Sequence, residues 1–344
     1  MTPADHPPDS SALVVGDPLE PAQPPRARGR SGFLWFLLQR LVFALATLWA
    51  LSFITFMLGA LAPGGPVEII LGQRATAEQV ARVKREFNLD RPVLVRYALW
   101  LGDAVRGDLG RSFFRNREPV ARTLSDRYPV TVRLAVLAAL FAAVVGAMLG
   151  LAAALKHDTW VDRLCTTLAL TGASVPAFVI LPLLVLVFAL RLRWFPVTYE
   201  NGGWWEFVLP AIALGTRPAA LIARMTRASF LETLGQDYVR TARAKGLGWW
   251  PTVVRHAGKN ALIPILTVFG TSVGYMLGGS FVVETIFGMP GIGGISVSSI
   301  GERDYPMIQA VTLLAAAVFI GVNLVVDILY GLIDPRLRVA AASR

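Results

Sequence analysis

The feature that most constrains this chain is a series of long stretches without any charged residue. A membrane-spanning helix needs roughly 20 apolar residues, because a rise of about 1.5 Å per residue must cross about 30 Å of hydrocarbon. Five stretches satisfy this requirement without an Asp, Glu, Lys or Arg, and a sixth, shorter one contains only Arg217. The six segments are residues 41–61, 134–155, 164–190, 207–222, 261–283 and 305–326.

The composition agrees with a membrane protein built from helices. Only 16% of the residues are charged and 54% are hydrophobic, which is unlike a soluble domain. The segments do not alternate polar and apolar residues as barrel strands do. The net charge of +10 comes from basic residues that flank the spans, so we expect no nucleic-acid partner. The single cysteine, Cys165, excludes an intrachain disulfide or a cysteine-rich metal site.

Basic residues predict the orientation of the chain, because short loops rich in Lys and Arg stay in the cytoplasm. The N-terminal flank, the loop 224–260 and the C-terminal exit are all basic, so six spans place both termini in the cytoplasm. Region 62–128 exceeds the length over which this rule operates, and we place it outside. Thr76 and Gln79 form a capping box there that predicts a helix to about Phe87.

Two proline pairs predict kinked helices in the third and fourth segments. The pairs are Pro176 with Pro182 and Pro210 with Pro218. A proline removes a backbone donor and clashes with the preceding turn. Such kinks arise from packing alone, or they suit helices that rearrange around a pathway.

The charged linker between the fourth and fifth segments predicts short cytoplasmic helices. Ser229 followed by Glu232 predicts the N-terminal cap of the first helix, and Gly246 predicts its left-handed end. Proline is favoured at the first position of a helix, so a second helix is expected from about Pro251, ending at Gly258. Asn260 should then cap the fifth span.

Two adjacent tryptophans, Trp249 and Trp250, are expected at the cytoplasmic tip of this linker. They could rest on lipid headgroups. Alternatively, they could anchor a partner protein, because Trp and Arg are the preferred anchors of protein interfaces.

Neither an ATP site nor an enzyme active site is expected. A phosphate-binding loop needs G-x-x-x-x-G-K-[ST], but Asn260 follows Gly258 and Lys259, and Val253 replaces the first glycine. Ser174 of the third segment would need a histidine within reach to act as a nucleophile. The three histidines lie outside the predicted spans, which also argues against a metal site.

For Arg217 and for two sets of spaced glycines, the sequence is compatible with more than one role. An arginine inside a span must face the bundle interior or a watery cavity, either in a structural hydrogen bond or as a substrate-pathway residue. Gly146 and Gly150 form one G-x-x-x-G pattern, which allows close helix packing or a subunit contact. The other set is Gly270, Gly274 and Gly278 of the fifth segment.

Residues 237–247, DYVRTARAKGL, and residues 255–264, RHAGKNALIP, resemble a known family. They are similar to the EAA loop of ABC-importer permeases, the segment that docks on the ATP-hydrolysing subunits, in the form found in the dipeptide and oligopeptide branch. Gly246 fits the glycine of the general pattern. Only Ala242 fits the Glu-Ala-Ala triplet, and the residues at the apolar tail of the pattern depart from it. Further motifs of the same branch are FNLDRP (87–92), GDLGRSF (107–113), ETIFGMPGIGG (284–294), GERDYPMIQ (301–309) and DPRLR (334–338).

This resemblance, which runs from about residue 33 to 338, implies an all-α type I ABC-importer permease fold with six transmembrane helices and an outer helical insertion between spans one and two. The expected organisation is a disordered cytoplasmic tail (1–32), a first transmembrane helix (33–61), an extracytoplasmic region (62–128), a five-helix core (129–335) with the coupling loop at 229–260, and a cytoplasmic C-terminus (336–344). The expected coupling residues are Arg240, Ala242, Gly246, Leu247, Trp249, Trp250, Pro251, Val254 and Arg255.

The resemblance also implies partners and a location. These are a second homologous permease subunit, two ABC ATPase subunits that carry ATP and Mg²⁺, an extracytoplasmic solute-binding protein, and the lipid bilayer of a bacterial or archaeal inner membrane. This chain itself would hold no cofactor. Di- or oligopeptides are the expected cargo, with nickel complexes, glutathione or oligosaccharides as alternatives. A stand-alone channel or secondary transporter is the alternative from another class, although no internal repeat supports it.

Overall fold

The computed structural model describes residues 30–62, 67, 71, 76–86, 88–115, 117–278 and 280–333. Within these residues the regular structure is helical, apart from one isolated bridge between Arg111 and Pro119. The prediction of an all-helical protein is confirmed. Most of the predicted N-terminal tail and the C-terminal motif 334–338 lie outside the described residues.

The helices are numbered here in chain order. They are α1 (Arg30–Leu61), α2 (Ala77–Glu86), α3 (Val93–Val105), α4 (Val120–Leu155), α5 (Trp160–Ser174), α6 (Ala177–Leu184), α7 (Trp204–Leu234), α8 (Asp237–Ala244), α9 (Trp249–Pro251), α10 (Gly258–Gly278), α11 (Phe281–Phe287), α12 (Ile292–Glu302) and α13 (Tyr305–Ile333). Wider π-helical turns extend α6 over Val185–Arg191 and join α9 to α10 over Thr252–Ala257.

Five of the described helices, α1, α4, α7, α10 and α13, are long and apolar enough to cross a membrane. Two further pairs pass the same test only together: α5 with the extended α6, bent by 107°, and α11 with α12, bent by 91°. The described chain therefore offers five to seven crossings, and the predicted count of six lies within that range. The predicted segments 41–61, 134–155, 207–222 and 305–326 each lie inside one continuous helix.

The third predicted segment, 164–190, is largely helical as expected, but it does not form one continuous helix. It is broken between α5 and α6, where Val175 is extended (φ −86°, ψ 122°) and Pro176 precedes α6. A proline disfavours the helical conformation of the residue before it, so Pro176 produces a corner rather than a gentle kink. By contrast, α7 continues through both of its prolines. The fifth predicted segment, 261–283, runs too far, because α10 ends at Gly278.

Glycine allows α4 and α7 to touch along their backbones. A Cβ atom on Gly146 would lie 2.6 Å from the carbonyl oxygen of Ala219, and one on Gly150 would lie 2.6 Å from Thr226 Cβ. Both glycines are buried in this contact. The predicted close packing is confirmed, whereas the idea that this pattern faces another subunit is wrong.

The glycines of α10 serve the same purpose against α13. A Cβ on Gly270 would overlap Val326, and one on Gly274 would lie 2.9 Å from the Phe319 ring. Helix α13 is also tied to the first helix, because Arg40 of α1 pairs with Asp327 at 3.2 Å.

Two predictions about the cytoplasmic linker are wrong. Ser229 does not open a new helix, because it lies inside α7, and its carbonyl oxygen accepts a hydrogen bond from the Thr233 hydroxyl at 2.6 Å. The next helix begins at Asp237 instead. Gly258 does not break the chain either, because residues 249–278 are helical throughout. Asn260 consequently caps nothing, and its amide donates to the Tyr238 hydroxyl at 2.8 Å.

The outer insertion packs against α1. The capping box before α2 is confirmed, since the Thr76 amide donates to Gln79 Oε1 at 2.9 Å and the Gln79 amide donates to Thr76 Oγ1 at 3.4 Å. Helix α3 is held by Tyr97, whose hydroxyl shares a 2.8 Å hydrogen bond with that of Ser52 in α1.

Candidate functional site

The linker between α7 and α10 turns sharply at Gly246. Helix α8 ends at Ala244, and Gly246 then takes a φ of +81°, a left-handed conformation that favours glycine. Its amide donates to the Arg243 carbonyl at 2.9 Å, and the Leu247 amide donates to that of Ala242 at 3.3 Å. The predicted left-handed end of the helix is confirmed. The chain is thereby turned out of α8 and into α9.

Helix α9 is short, but it is continuous with a membrane-length helix. The inner side of the turn that joins it to α10 is buried, with Thr252 and Ala257 fully inaccessible. Four apolar side chains on the outer side are between 40% and 68% exposed. They are Leu247, Trp249, Trp250 and Val254, and we call them the tip patch. The described chain therefore presents an uncovered apolar surface on the helical segment that leads into α10.

The two tryptophans of the tip patch differ in the contacts that their rings make with the rest of the chain. Trp249 stacks under the guanidinium of Arg243, which lies 4.1 Å from the ring centroid. Trp250 has no such ring contact among the described residues, and it is the more exposed of the two. Trp249 is thus fixed in place by α8, while Trp250 projects.

The other predicted coupling residues fall into two groups. Arg240, Pro251 and Arg255 are exposed, and Arg240 makes a 3.7 Å ion pair with Asp237 in its own helix. Ala242 is buried, so it packs α8 inward rather than offering a contact surface. Arg243, which sequence reasoning did not select, positions Trp249; an arginine six residues before a tryptophan across a glycine turn was the available signal.

A buried ion pair lies beside this linker. Arg227 of α7 donates from Nε and Nη2 to the two oxygens of Asp162 in α5, at 2.7 and 2.8 Å. Asp162 also accepts from the Asp158 amide at 3.1 Å and the Thr166 hydroxyl at 3.2 Å. This arrangement fixes the start of the broken span to the end of α7. Sequence reasoning missed it because the two residues are 65 positions apart.

One group of residues has the spacing of a cation site. The ligand atoms of His157, Asp158 and Asp162 lie within 4.8 Å of one another. Both oxygens of Asp162 already accept from Arg227, so a cation there would have to displace the arginine. The group therefore functions as part of the ion-pair network.

A first cavity of about 420 Å³ opens at the broken span. It lies between Pro176 at the corner, Arg217 and Leu221 of α7, and Thr271 and Tyr275 of α10. Arg217 is exposed within it, and none of the described residues gives its guanidinium a hydrogen bond or an ion pair. The structural-bond alternative for Arg217 thus has no support from the described part of the chain.

A second cavity of about 600 Å³ shares Leu221, Thr271 and Ser272 with the first. It continues along α7 past Arg224 and Arg227. The two cavities together form one groove, which runs along α7 from Leu214 to Ala228.

A carboxylate missed by sequence reasoning organises the pair α11–α12. Glu284 is fully buried, and it accepts from the Thr131 hydroxyl at 2.8 Å, from the Gly293 amide at 2.7 Å and from the Ser280 hydroxyl. A Cβ on Gly291 or Gly293 would overlap or crowd this carboxylate. The glycines of the motif 284–294 therefore form a tight turn around Glu284.

The loop between α3 and α4 is attached to the end of α12. Asp304 is fully buried, and it accepts from the Ser112 hydroxyl and from the Phe113 amide at 3.1 Å. Arg115 donates to the Ser298 hydroxyl at 2.8 Å. The insertion and the bent pair are thus joined by polar contacts.

Comparison with known proteins matches both parts of the chain. The family model described as binding-protein-dependent transport system inner membrane component matches residues 146–339, and the model of the corresponding N-terminal region matches residues 33–135. The glutathione transport system permease protein GsiC of Escherichia coli (strain K12) is 40% identical over 303 residues, which are 88% of this chain and 98% of that protein. GsiC of Salmonella typhimurium (strain LT2) shows the same identity and coverage.

A solved structure agrees at the level of the fold. A chain from the inward-facing MetNI methionine ABC transporter aligns with a TM-score of 0.54 at 16% identity, covering 63% of this chain and 99% of that one.

Proposed function

This chain belongs to the family of binding-protein-dependent transport inner membrane components, and from that premise we propose that it carries small peptides inward. It is the permease component of an ABC importer. We also propose which surface of the chain docks on the ATPase subunits and how a movement of those subunits reaches the membrane-spanning helices. Glutathione, one of the alternative cargoes expected from the sequence, is itself a tripeptide, and the other runner-up cargoes within the same architecture are nickel complexes and oligosaccharides.

The tip patch carries the proposal. It exposes two tryptophans, Leu247 and Val254 at the end of the basic linker. An apolar surface that stays in contact with water costs free energy, and a partner that covers it removes this cost. Aromatic anchors surrounded by basic residues are typical of protein interfaces. We assign this surface to the ATP-hydrolysing subunits, one of which docks on this chain and the other on a second permease.

The helix behind the patch explains how docking can move the spans. Residues 249–278 form one helical rod, so a displacement at Trp250 tilts α10 as a whole. Helix α10 packs on α7, and the Asp162–Arg227 pair holds α5 to α7, so the movement is passed on to the broken span. ATP binding shifts the permease only to the extent that the ATPase subunits bind its two states with different affinity.

Two observations support a peptide cargo. The GsiC relatives are named for transport of glutathione, a tripeptide. The groove along α7 carries arginines, which suit the carboxylates of a peptide. Delivery by an extracytoplasmic binding protein, and cytoplasmic termini, belong to the same proposal.

Reconstitution tests both the cargo and the energy source. The chain, its second permease, the ATPase subunits and the binding protein would be placed in liposomes and offered labelled glutathione, a dipeptide, a nickel complex and an oligosaccharide. We expect ATP-dependent uptake of the peptides alone. Uptake that persists without the ATPase subunits would instead identify a channel or a secondary transporter.

Crosslinking tests the docking surface separately. Cys165 is the only cysteine of the chain and is buried, so Trp250→Cys adds the one accessible thiol. We expect a thiol-reactive crosslinker at position 250 to capture an ATPase subunit, whereas Trp204→Cys, at the opposite end of α7, captures none. Equal capture at both positions would contradict the assignment.

A further inference from the structure

We propose that Arg217 and Arg224 bind the carboxylates of the transported peptide one after the other along the groove of α7. This inference rests on the proposed peptide cargo and deepens it. It names the chemical group that the pathway recognises and the two residues that recognise it.

Arg217 is the stronger of the two sites. It lies near the middle of α7, where a charge needs either a partner or a watery cavity. Among the described residues it has no partner, and it lines a cavity of about 420 Å³, a volume in the usual range of ligand pockets. The described lining of this cavity holds no carboxylate, so the guanidinium is available to an incoming anion.

The chain around Arg217 favours a polar ligand. The corner at Val175–Pro176 opens the bundle there, and broken helices are tolerated at membrane depth where they line a cavity. Tyr275 of α10 is exposed and lines the same cavity as Arg217. A guanidinium and a phenol together can hold a carboxylate by charge-assisted hydrogen bonds.

Arg224 continues the path. It lies seven residues after Arg217, so both face the same side of α7 about 10 Å apart, and Leu221 between them borders both cavities. Arg224 is exposed and has no partner among the described residues. An extended tripeptide spans about 10 Å as well, so its carboxylate passes from Arg217 to Arg224 when the peptide advances by about its own length.

Arg227 differs from Arg217 and Arg224 because its charge is already paired. It also borders the second cavity, but its guanidinium donates to both oxygens of Asp162, which neutralise its charge. The groove therefore has two available positive charges in its described lining rather than three. Such a path accepts anions and disfavours metal cations.

Uptake by the reconstituted complex tests the inference with a tripeptide acid and its C-terminal amide. In Arg217→Gln we expect uptake of the acid at subsaturating concentration to fall roughly 10- to 100-fold, the usual effect of losing a charged hydrogen bond, while uptake of the amide changes less than twofold. Arg224→Gln should show the same selectivity with a smaller loss. Every complex contains the same binding protein, so the preference of that protein cancels from the ratio of variant to wild type.

Two further variants control for folding and for charge in general. Arg163→Gln removes an exposed arginine of α5 that borders neither cavity, and it should leave both uptakes unchanged. Arg217→Lys keeps the positive charge and should recover part of the acid uptake. ATP hydrolysis by each complex reports whether the variant has assembled.

The outcomes separate this inference from the proposed function. Equal loss of acid and amide uptake in Arg217→Gln, or no loss, overturns the carboxylate role while peptide transport stands. A wild-type complex that imports other cargo but no peptide overturns both.

Discussion

Trp250→Ala should weaken the binding of the ATPase subunit about 30-fold. Trp250 is 61% exposed, and an exposed tryptophan surface of this share is roughly 150 Å². Complete burial at about 25 cal/mol per Å² would contribute roughly 4 kcal/mol. Alanine keeps part of that contact and the docked ring loses mobility, so we expect about 2 kcal/mol, which corresponds to roughly 30-fold in Kd.

Trp249→Ala should have a smaller effect. Its exposed share is 41%, and its ring is already covered on one face by Arg243 at 4.1 Å. The area left for a partner is roughly 100 Å², so we expect about 1 kcal/mol and a roughly fivefold change in Kd. The order of the two effects follows from the fold rather than from the residue type.

Titration of fluorescent ATPase subunits onto the permease pair in nanodiscs measures both Kd values. Trp204→Ala is the matched control, because Trp204 is 62% exposed but lies at the opposite end of α7, and it should change nothing. The reasoning is refuted if Trp250→Ala binds within twofold of wild type, or if Trp249→Ala has the larger effect.

Three other changes test the packing and the linker. Gly150→Leu should prevent stable folding because its side chain would overlap α7, whereas Gly102→Leu, which has no neighbour within 4 Å, should retain the wild-type elution profile in detergent. Asp162→Asn should destabilise the protein by about 2 to 3 kcal/mol, at the lower end for a broken ion pair because Arg227 is 32% exposed, and a thermal unfolding scan would show it as a lower midpoint. Gly246→Leu should leave membrane insertion intact and abolish uptake, because φ of +81° strains any side-chain-bearing residue by about 1 to 2 kcal/mol and shifts the tip patch; wild-type uptake would contradict it.

The sequence was sufficient for the helical membrane class and for the positions of four of the six predicted spans. Hydrocarbon thickness imposes a minimum length on a charge-free helix, and this local constraint survives in any tertiary context. The turn at Gly246 and the cap at Thr76 were predictable for the same reason, since each is satisfied by neighbouring residues.

Features that depend on tertiary contacts were not predictable. Ser229 has the local pattern of a cap, but α7 continues to Leu234 and includes it. Gly258 has the pattern of a helix end, yet the buried residues before it hold the helix together. Glu284 and Asp304 gave no signal, because their hydroxyl partners in Thr131 and Ser112 are 153 and 192 positions away.

The candidate site likewise combines features that neighbouring residues determine with features that depend on tertiary contacts. The exposed coupling residues follow from the loop pattern, whereas the availability of Arg217 depends on what surrounds it. A lone arginine in an apolar run has the same sequence whether a carboxylate or a cavity faces it.

The contacts of Asp304 have a mechanical consequence. Because a buried carboxyl group joins the Ser112 hydroxyl and the Phe113 amide to the junction of α12 and α13, the loop between α3 and α4 cannot shift by itself without leaving that group buried and without partners. A displacement of this loop is therefore transmitted directly to α13, whose other end is tied to α1 by the Arg40–Asp327 pair. The loop at one end of α13 and the first helix at its other end are in this way mechanically linked.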